Sequence, residues 1–186
     1  MDRTRTDRSL AALLAAAAVL VVALPTHAQE GGGDNPVTTT VRRNLDRYGA
    51  WLVAGAREMP ADKYSYKPTD GVRTFGEELK HVASGNDHLC AAISGMEAPK
   101  REDVSTTDKQ GLVDLLASSF DFCRKALGSV DDSKLAEPVP FFGGNKVPRA
   151  TAMMALPIDW ADHYGHQALY LRMNGMTPPS ARGNGM

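Results

Sequence analysis

The chain has 186 residues, with 21 Lys and Arg, 22 Asp and Glu, and a formal net charge of −1. This charge balance excludes the broad basic surface by which proteins bind nucleic acids, and the length favours a single domain. The two cysteines are too few for a small disulfide-dense scaffold or for a zinc module built from Cys alone.

The first 28 residues have the pattern of a bacterial secretory signal peptide. A segment with three arginines precedes an unbroken apolar run from Leu10 to Leu24, and small residues stand at the −3 and −1 positions of a cleavage point after Ala28. The run is shorter than the roughly 20 residues of a membrane span. We therefore expect export to the periplasm or the cell exterior, with no membrane attachment after cleavage. An uncleaved membrane anchor is the alternative.

Two polar segments flank the predicted domain. Residues 29–37 are rich in Gly and polar residues and are predicted to form a flexible tether. Residues 177–186 begin with a proline pair that cannot continue a helix, and they are predicted to form a loose tail. The domain is therefore expected to cover residues 38–176.

Apolar residues at helical spacing predict two helices in the first half of this domain. The first covers residues 39–59 and ends at Pro60. The second begins at Thr74, whose spacing to Glu77 is that of a capping box, and it ends at Gly95.

Two further helices are predicted in the second half. The third begins with a capping box at Thr107 and continues to Gly128. The fourth covers residues 151–174, with a kink or a delayed start expected at Pro157. Residues 137–149 contain three prolines and a Gly pair, and they are predicted to form a loop with a hairpin-like turn.

Four amphipathic helices without a clear strand partner predict an all-α fold, a four-helix bundle. More than ten residues separate the first helix from the second and the third from the fourth. These connections are long enough for a crossover topology, so a simple up-and-down order is not required.

The histidines outside the signal fall on two predicted helices. Asp159, His163 and His166 lie within a sector of about 60° on the fourth helix, and Asp159 and His163 are i, i+4 neighbours. His81 on the second helix would add a third ligand if the two helices pack side by side. Two imidazoles and a carboxylate suit a divalent transition metal and leave a position open for water or substrate.

Ordinary roles for the same residues are the alternative. His81 lies about 120° away from the apolar stripe of its helix, a position typical of a surface histidine. His88 and His166, taken singly, are expected to be solvated or hydrogen-bonded.

Two segments resemble a known family. The first resembles the opening half of DinB-like (damage-inducible, YfiT-like) domains and reads MPADKYSYKPTDGVRTFGEELKHVASGNDHLC. The second is similar to the last helix of an exported branch of that family and reads DHYGHQALYLRMNGMTPPSAR. With the helix between them, these segments cover nearly all of the chain after the signal.

The resemblance implies a four-helix bundle of DinB/YfiT-like type. It also implies a divalent metal, often nickel or zinc, held by one His of the second helix and an H-x-x-x-H pair of the last. His81 and His163 match two of these ligands, whereas Asp159 stands where the family has the third His. A carboxylate there makes Mn²⁺ more competitive; alternatively, Asp159 is a surface residue and the metal site is degenerate. His166 and His88 are the alternate or outer candidates.

The two cysteines lie on the inward sides of the second and third predicted helices. In an oxidising compartment, Cys90 and Cys123 are expected to form a disulfide, with two buried free thiols as the alternative. Closing this loop would add about 3–4 kcal/mol of stability.

Two functions are compatible with these features. The first is a metal-dependent enzyme of the hydrolase or transferase class, with an unknown substrate. Export counts against a transferase, because the low-molecular-weight thiols used by some DinB-like proteins are cytoplasmic. The second is a non-catalytic, exported or stress-related bundle that binds a metal, a small molecule or a protein. An apolar bundle face would also permit a homodimer.

Overall fold

The computed structural model describes residues 35–182. The predicted signal peptide, most of the predicted tether and the last four residues of the tail lie outside this range. Within it, no helix has the length and apolar character needed to span a membrane.

The described chain forms the predicted four-helix bundle. Its helices are α1 (Pro36–Glu58), α2 (Phe75–Ser94), α3 (Lys109–Gly128) and α4 (Arg149–Met173). The most extensive packing joins α2 to α3 and α4, and α1 to α3 and α4. Consecutive helices α1 and α2, and likewise α3 and α4, are therefore not close partners, and the long connections cross the bundle.

A short antiparallel hairpin precedes α4. Its strands are β1 (Pro138–Pro140) and β2 (Lys146–Pro148), with Val139 opposite Val147. The turn between them uses Gly143 and Gly144, both with positive φ, a backbone conformation that glycine adopts without strain. The hairpin-like turn predicted for this segment is present.

Three helices start at positions other than those predicted. Helix α1 begins at Pro36, inside the predicted tether, because the Asp132 carboxylate accepts the backbone N–H groups of Val37 and Thr38, each at 2.9 Å. The cap of α3 is Asp108, which accepts from the Gly111 N–H at 3.1 Å, so the predicted cap at Thr107 was wrong.

Of the two alternatives predicted for α4, a kink or a delayed start, the delayed start was wrong, since the helix begins at Arg149 with Pro157 in its interior. The backbone N–H groups of Arg149 and Ala150 donate to carbonyls of the preceding connection, at 2.8 and 2.9 Å. Met153 and Leu156 are fully buried in the same turns. This anchoring offsets the loss of the hydrogen bond that the proline removes. The capping box between Thr74 and Glu77 at the start of α2 is confirmed.

The core confirms the predicted apolar faces and contains one buried polar network. The Trp160 indole N–H donates to Asn86 Oδ1 at 2.7 Å, and Asn86 Nδ2 donates to Ser119 Oγ at 3.0 Å. These three side chains are fully buried and tie α4, α2 and α3 together. The predicted disulfide between Cys90 and Cys123 joins α2 to α3 at the same level of the bundle.

The tail differs from the loose segment that we predicted. After α4, the backbone N–H of Ser180 donates to the Tyr164 hydroxyl at 2.8 Å, and Arg182 pairs with Glu58 of α1 at 2.7 Å. The prolines end the helix, as expected, but the following residues up to Arg182 have specific partners on α1 and α4.

Candidate metal centre

The site lies where α2 and α4 pack against each other. Gly85 of α2 faces α4 there, and a Cβ atom built on it would lie 3.7 Å from Asp159 Oδ2. This is an ordinary van der Waals distance, so the Asp159 carboxylate lies close to the α2 backbone at this position. Because α2 and α4 are neighbours, the residues on their facing sides share one environment.

The three predicted ligands meet around His163, which is only 5% exposed. The His81 and His163 ring centroids are 4.9 Å apart, with an interplanar angle of 72°. His163 Nε2 lies 3.3 Å from Asp159 Oδ1, one helical turn earlier on α4. Imidazoles from α2 and α4 therefore lie next to each other.

Glu78 is a member of the cluster that the sequence interpretation missed. Its side chain is buried, and Oε1 lies 2.5 Å from His163 Nδ1 and 3.2 Å from His166 Nδ1. Glu78 precedes His81 by three residues, which places the two on the same side of α2. That spacing is the signal present in the sequence, but an acidic residue next to a capping box is also typical of an ordinary helix start.

One set of three potential ligand residues in the described chain has donor atoms that all lie within 4.8 Å of one another. It consists of Glu78, His163 and His166. It shares only His163 with the predicted set, since His81 and Asp159 adjoin His163 without belonging to this closer group. His166, predicted as an outer residue, lies against Glu78.

His88, the other alternate candidate, has a different partner. Its ring stacks on that of Phe142 in the hairpin turn, with ring centroids 4.8 Å apart and an interplanar angle of 21°. This stacking fastens the hairpin to α2.

Two carboxylates set the protonation state of His163 in the metal-free protein. The hydrogen bonds to Asp159 and to Glu78 outweigh burial and raise the pKa of His163 to about 9. Burial alone would raise the pKa of Glu78, but its hydrogen bonds and charge interactions with His163 and His166 lower it to about 2. An imidazolium therefore lies between two carboxylates at neutral pH.

The surroundings of His81 instead favour its uncharged form. Partial burial lowers the pKa of His81, and the positive charges of Arg73 and His163 add to this effect. At neutral pH its ring is therefore uncharged and has a nitrogen lone pair available for a ligand.

The donor chemistry of this cluster fits a divalent transition metal. Imidazole nitrogens suit Zn²⁺ and Ni²⁺, and carboxylate oxygens suit Mn²⁺. The two carboxylates compensate the charge of a dication in a largely buried position. If a cation replaced the extra proton of His163, each ring nitrogen would still have a partner, which would be either the cation or a carboxylate.

A cavity of about 1320 Å³ adjoins the cluster. The connection between α1 and α2 forms one side of it, and α2 and α4 form the others. Glu78, His81 and His166 contribute to its lining, so the cluster is reached from solvent through this opening.

Comparison with known proteins gives a consistent result. The family model described as the DinB superfamily matches residues 38–166. A comparison with curated proteins finds no significant match.

Solved structures share the fold at low sequence identity. A DinB-like protein from Bacillus subtilis is 19% identical with a TM-score of 0.63, over 74% of this chain and 94% of that one. A DinB-like protein from Bacillus cereus is 17% identical with a TM-score of 0.62, over 76% and 95%. A conserved protein from Enterococcus faecalis is 18% identical with a TM-score of 0.57, over 72% and 94%. Because the family model matches more than half of the sequence, the chain belongs to the DinB superfamily.

Proposed function

We propose that this protein binds a divalent metal between α2 and α4 and uses it as a hydrolytic enzyme. The ligands in this proposal are His81, Asp159 and His163. The observation that carries it is the His163 imidazole held between two carboxylates beside an open cavity.

The distances around His163 favour its Nε2 as the metal-binding atom. Two ligand atoms at usual bond lengths from one ion lie about 3.0–3.4 Å apart. The 3.3 Å between His163 Nε2 and Asp159 Oδ1 is in this range, and so is the 3.2 Å between Glu78 Oε1 and His166 Nδ1. The 2.5 Å between His163 Nδ1 and Glu78 Oε1 is instead a hydrogen-bond distance, too short for two ligands of one ion. Glu78 therefore acts as an outer partner, and its set with His166 is the alternative that the experiment must test.

Each side chain then has a distinct task. Glu78 accepts the Nδ1–H of His163, which fixes the tautomer and orients Nε2 toward Asp159. His81 supplies an uncharged imidazole from α2. Asp159 supplies a carboxylate one helical turn from His163.

The cavity and the ligand count support hydrolytic chemistry. Three protein ligands leave a coordination position open, and a bound divalent cation supplies Lewis-acid chemistry by lowering the pKa of coordinated water toward neutrality. His81 lines the cavity, so a substrate in the cavity would lie next to this proposed ligand. Zinc or nickel follows from the family resemblance, and the Asp159 carboxylate makes manganese a competitor.

We also propose that the protein is exported. The arginines, apolar run and small residues at the start of the chain support this, and the Cys90–Cys123 disulfide is compatible with an oxidising compartment. Export favours a hydrolase over a transferase that depends on cytoplasmic thiols. Amino-terminal sequencing of the secreted product tests this proposal, and an intact amino terminus on protein retained in the cytoplasm would contradict it.

Metal analysis of purified variants tests the ligand assignment. We expect His163→Ala to lose the metal, and His81→Ala and Asp159→Asn to weaken its binding about 10- to 100-fold or more. His166→Ala should retain it, and Asp159→His should strengthen binding of Zn²⁺ and Ni²⁺. Far-ultraviolet circular dichroism of each variant separates metal loss from unfolding.

The opposite order of metal loss among these variants would indicate that the ion binds on the Nδ1 side of the His163 ring. If His166→Ala loses the metal while His81→Ala and Asp159→Asn keep it, the ligands are Glu78, His163 and His166. If His163→Ala folds and keeps the full metal content, the site itself is refuted. Absence of turnover by the metal-loaded protein on ester, amide and phosphoester substrates would leave a non-catalytic binding bundle.

A further inference from the structure

One side of the cavity beside the metal centre is apolar, and the proposed metal ligands do not account for it. Val72 of the connection between α1 and α2, together with Leu169 and Met173 of α4, lines it, and all three side chains are exposed. They are half of the six large apolar side chains exposed in residues 35–182. Such a grouping inside a concave site favours a ligand with an apolar body.

The acidic residues of the same cavity already have partners. Asp70 pairs with Lys67 at 3.1 Å, and the Glu77 carboxylate accepts the Thr74 backbone N–H at 2.7 Å. Glu78 is hydrogen-bonded to the two histidines below it. These contacts reduce the negative potential that an anionic ligand would meet.

The two cations of the cavity differ in how firmly they are held. Lys80 is paired with Asp103 and also donates to a backbone carbonyl. Arg73 contacts Glu78 through a single nitrogen at 3.5 Å, the long limit of a hydrogen bond, and its side chain is 48% exposed. Its backbone is fixed, because the Tyr170 hydroxyl donates to the Arg73 carbonyl at 2.7 Å.

We propose that this cavity binds a small carboxylate-bearing molecule with an apolar body. The Arg73 guanidinium binds the carboxylate, and Val72, Leu169 and Met173 contact the apolar part. A guanidinium forms two parallel hydrogen bonds to a carboxylate. Outside the metal centre, Arg73 is the one loosely held cation that residues 35–182 contribute to the lining of the cavity, which suits a monoanion better than a phosphate dianion. The inference rests on the proposed function, since it names the substrate class of the same metal centre.

Calorimetric titration with octanoate and octanamide tests the proposal on the zinc-loaded protein. The two probes share an apolar chain, and only octanoate is charged. We expect octanoate to bind more tightly, and Arg73→Gln to weaken octanoate about tenfold while octanamide binding is unchanged. Lys80→Gln is the matched control: it removes the same charge from the same cavity and should change octanoate affinity less than about twofold.

Any one of four results would overturn the proposal. The first is an unchanged octanoate affinity in Arg73→Gln, and the second is an equal loss in Lys80→Gln, which would indicate general electrostatics. The third is the absence of octanoate binding, and the fourth is equal binding of octanamide.

Repeating the titrations on metal-free protein separates this inference from the metal assignment. If octanoate bound the cation rather than Arg73, metal removal would abolish binding and Arg73→Gln would have no effect, which overturns the inference while the metal site stands. Dependence on Arg73 that persists without metal supports the carboxylate site. Metal analysis of the same samples reports independently on the proposed function.

Discussion

Proton release on metal binding is the sharpest consequence of the His163 environment. The pKa of His163 is raised to about 9 by its two carboxylate partners, from an ordinary value of 6.5. At pH 7 about 99% of these rings carry an extra proton, which must leave before Nε2 can bind a cation. We expect Zn²⁺ binding at pH 7 to release about one proton.

The same shift sets the pH dependence of affinity. Protons compete with the metal below a pKa of about 9, so Zn²⁺ affinity should rise about tenfold per pH unit from pH 7 and level off near pH 9. A histidine with the ordinary pKa of 6.5 would change the affinity less than about twofold over that interval. Competition with a chelator of known proton linkage measures the slope, and calorimetry in buffers of different ionisation enthalpy counts the protons.

Glu78→Gln is the matched variant for this experiment. The amide keeps the shape of the side chain but removes its charge, so the pKa of His163 should fall, and the rise of Zn²⁺ affinity with pH should end at a lower pH than in the unmodified protein. His166→Gln leaves both carboxylates in place and should retain the slope of the unmodified protein. A proton release near zero at pH 7, or an affinity that levels off at the same pH in Glu78→Gln as in the unmodified protein, would refute the electrostatic reasoning.

Three further predictions concern the bundle and are measured by urea denaturation. The Cys90→Ala/Cys123→Ala double variant should lose about 3–4 kcal/mol of unfolding free energy, because the cross-link restricts the unfolded chain. Asn86→Ala leaves a buried indole N–H without its acceptor and should lose about 1–3 kcal/mol. Gly55→Ala should lose about 1–3 kcal/mol, since its Cβ would lie 2.3 Å from Gln167 Oε1 and displace that buried side chain.

Each of these predictions has its own control. Reducing agent should destabilise the parent protein and leave the double variant unchanged; equal sensitivity of both would contradict the disulfide prediction. Trp160→Phe removes the indole N–H, so Asn86→Ala should cost less in that background than in the parent protein; the same loss in both backgrounds would show that the unpaired indole is not the cause. Gly165→Ala adds a Cβ in open space on α4 and should stabilise the helix by up to about 1 kcal/mol. A similar loss at Gly165 and Gly55 would show that packing against Gln167 is not the cause.

The sequence by itself determined features that depend on neighbours along one helix. Helical spacing identified the four segments and their buried faces, and the capping box of Thr74 and Glu77 set the start of α2. The same periodicity placed Asp159 one turn before His163 and turned the two cysteines inward. These features follow from sequence because residues three and four apart share a helical face whatever the rest of the chain does.

Only the tertiary structure decided which faces meet. It brought Glu78 against His163, 85 residues away, and it used Asp132 to cap a helix about 95 residues earlier in the chain. Glu78, an acidic residue next to the capping box, is therefore buried and hydrogen-bonded to the His163 imidazole. A helical pattern specifies the direction of each side chain around its own axis, but the neighbour it meets depends on how the four helices pack together.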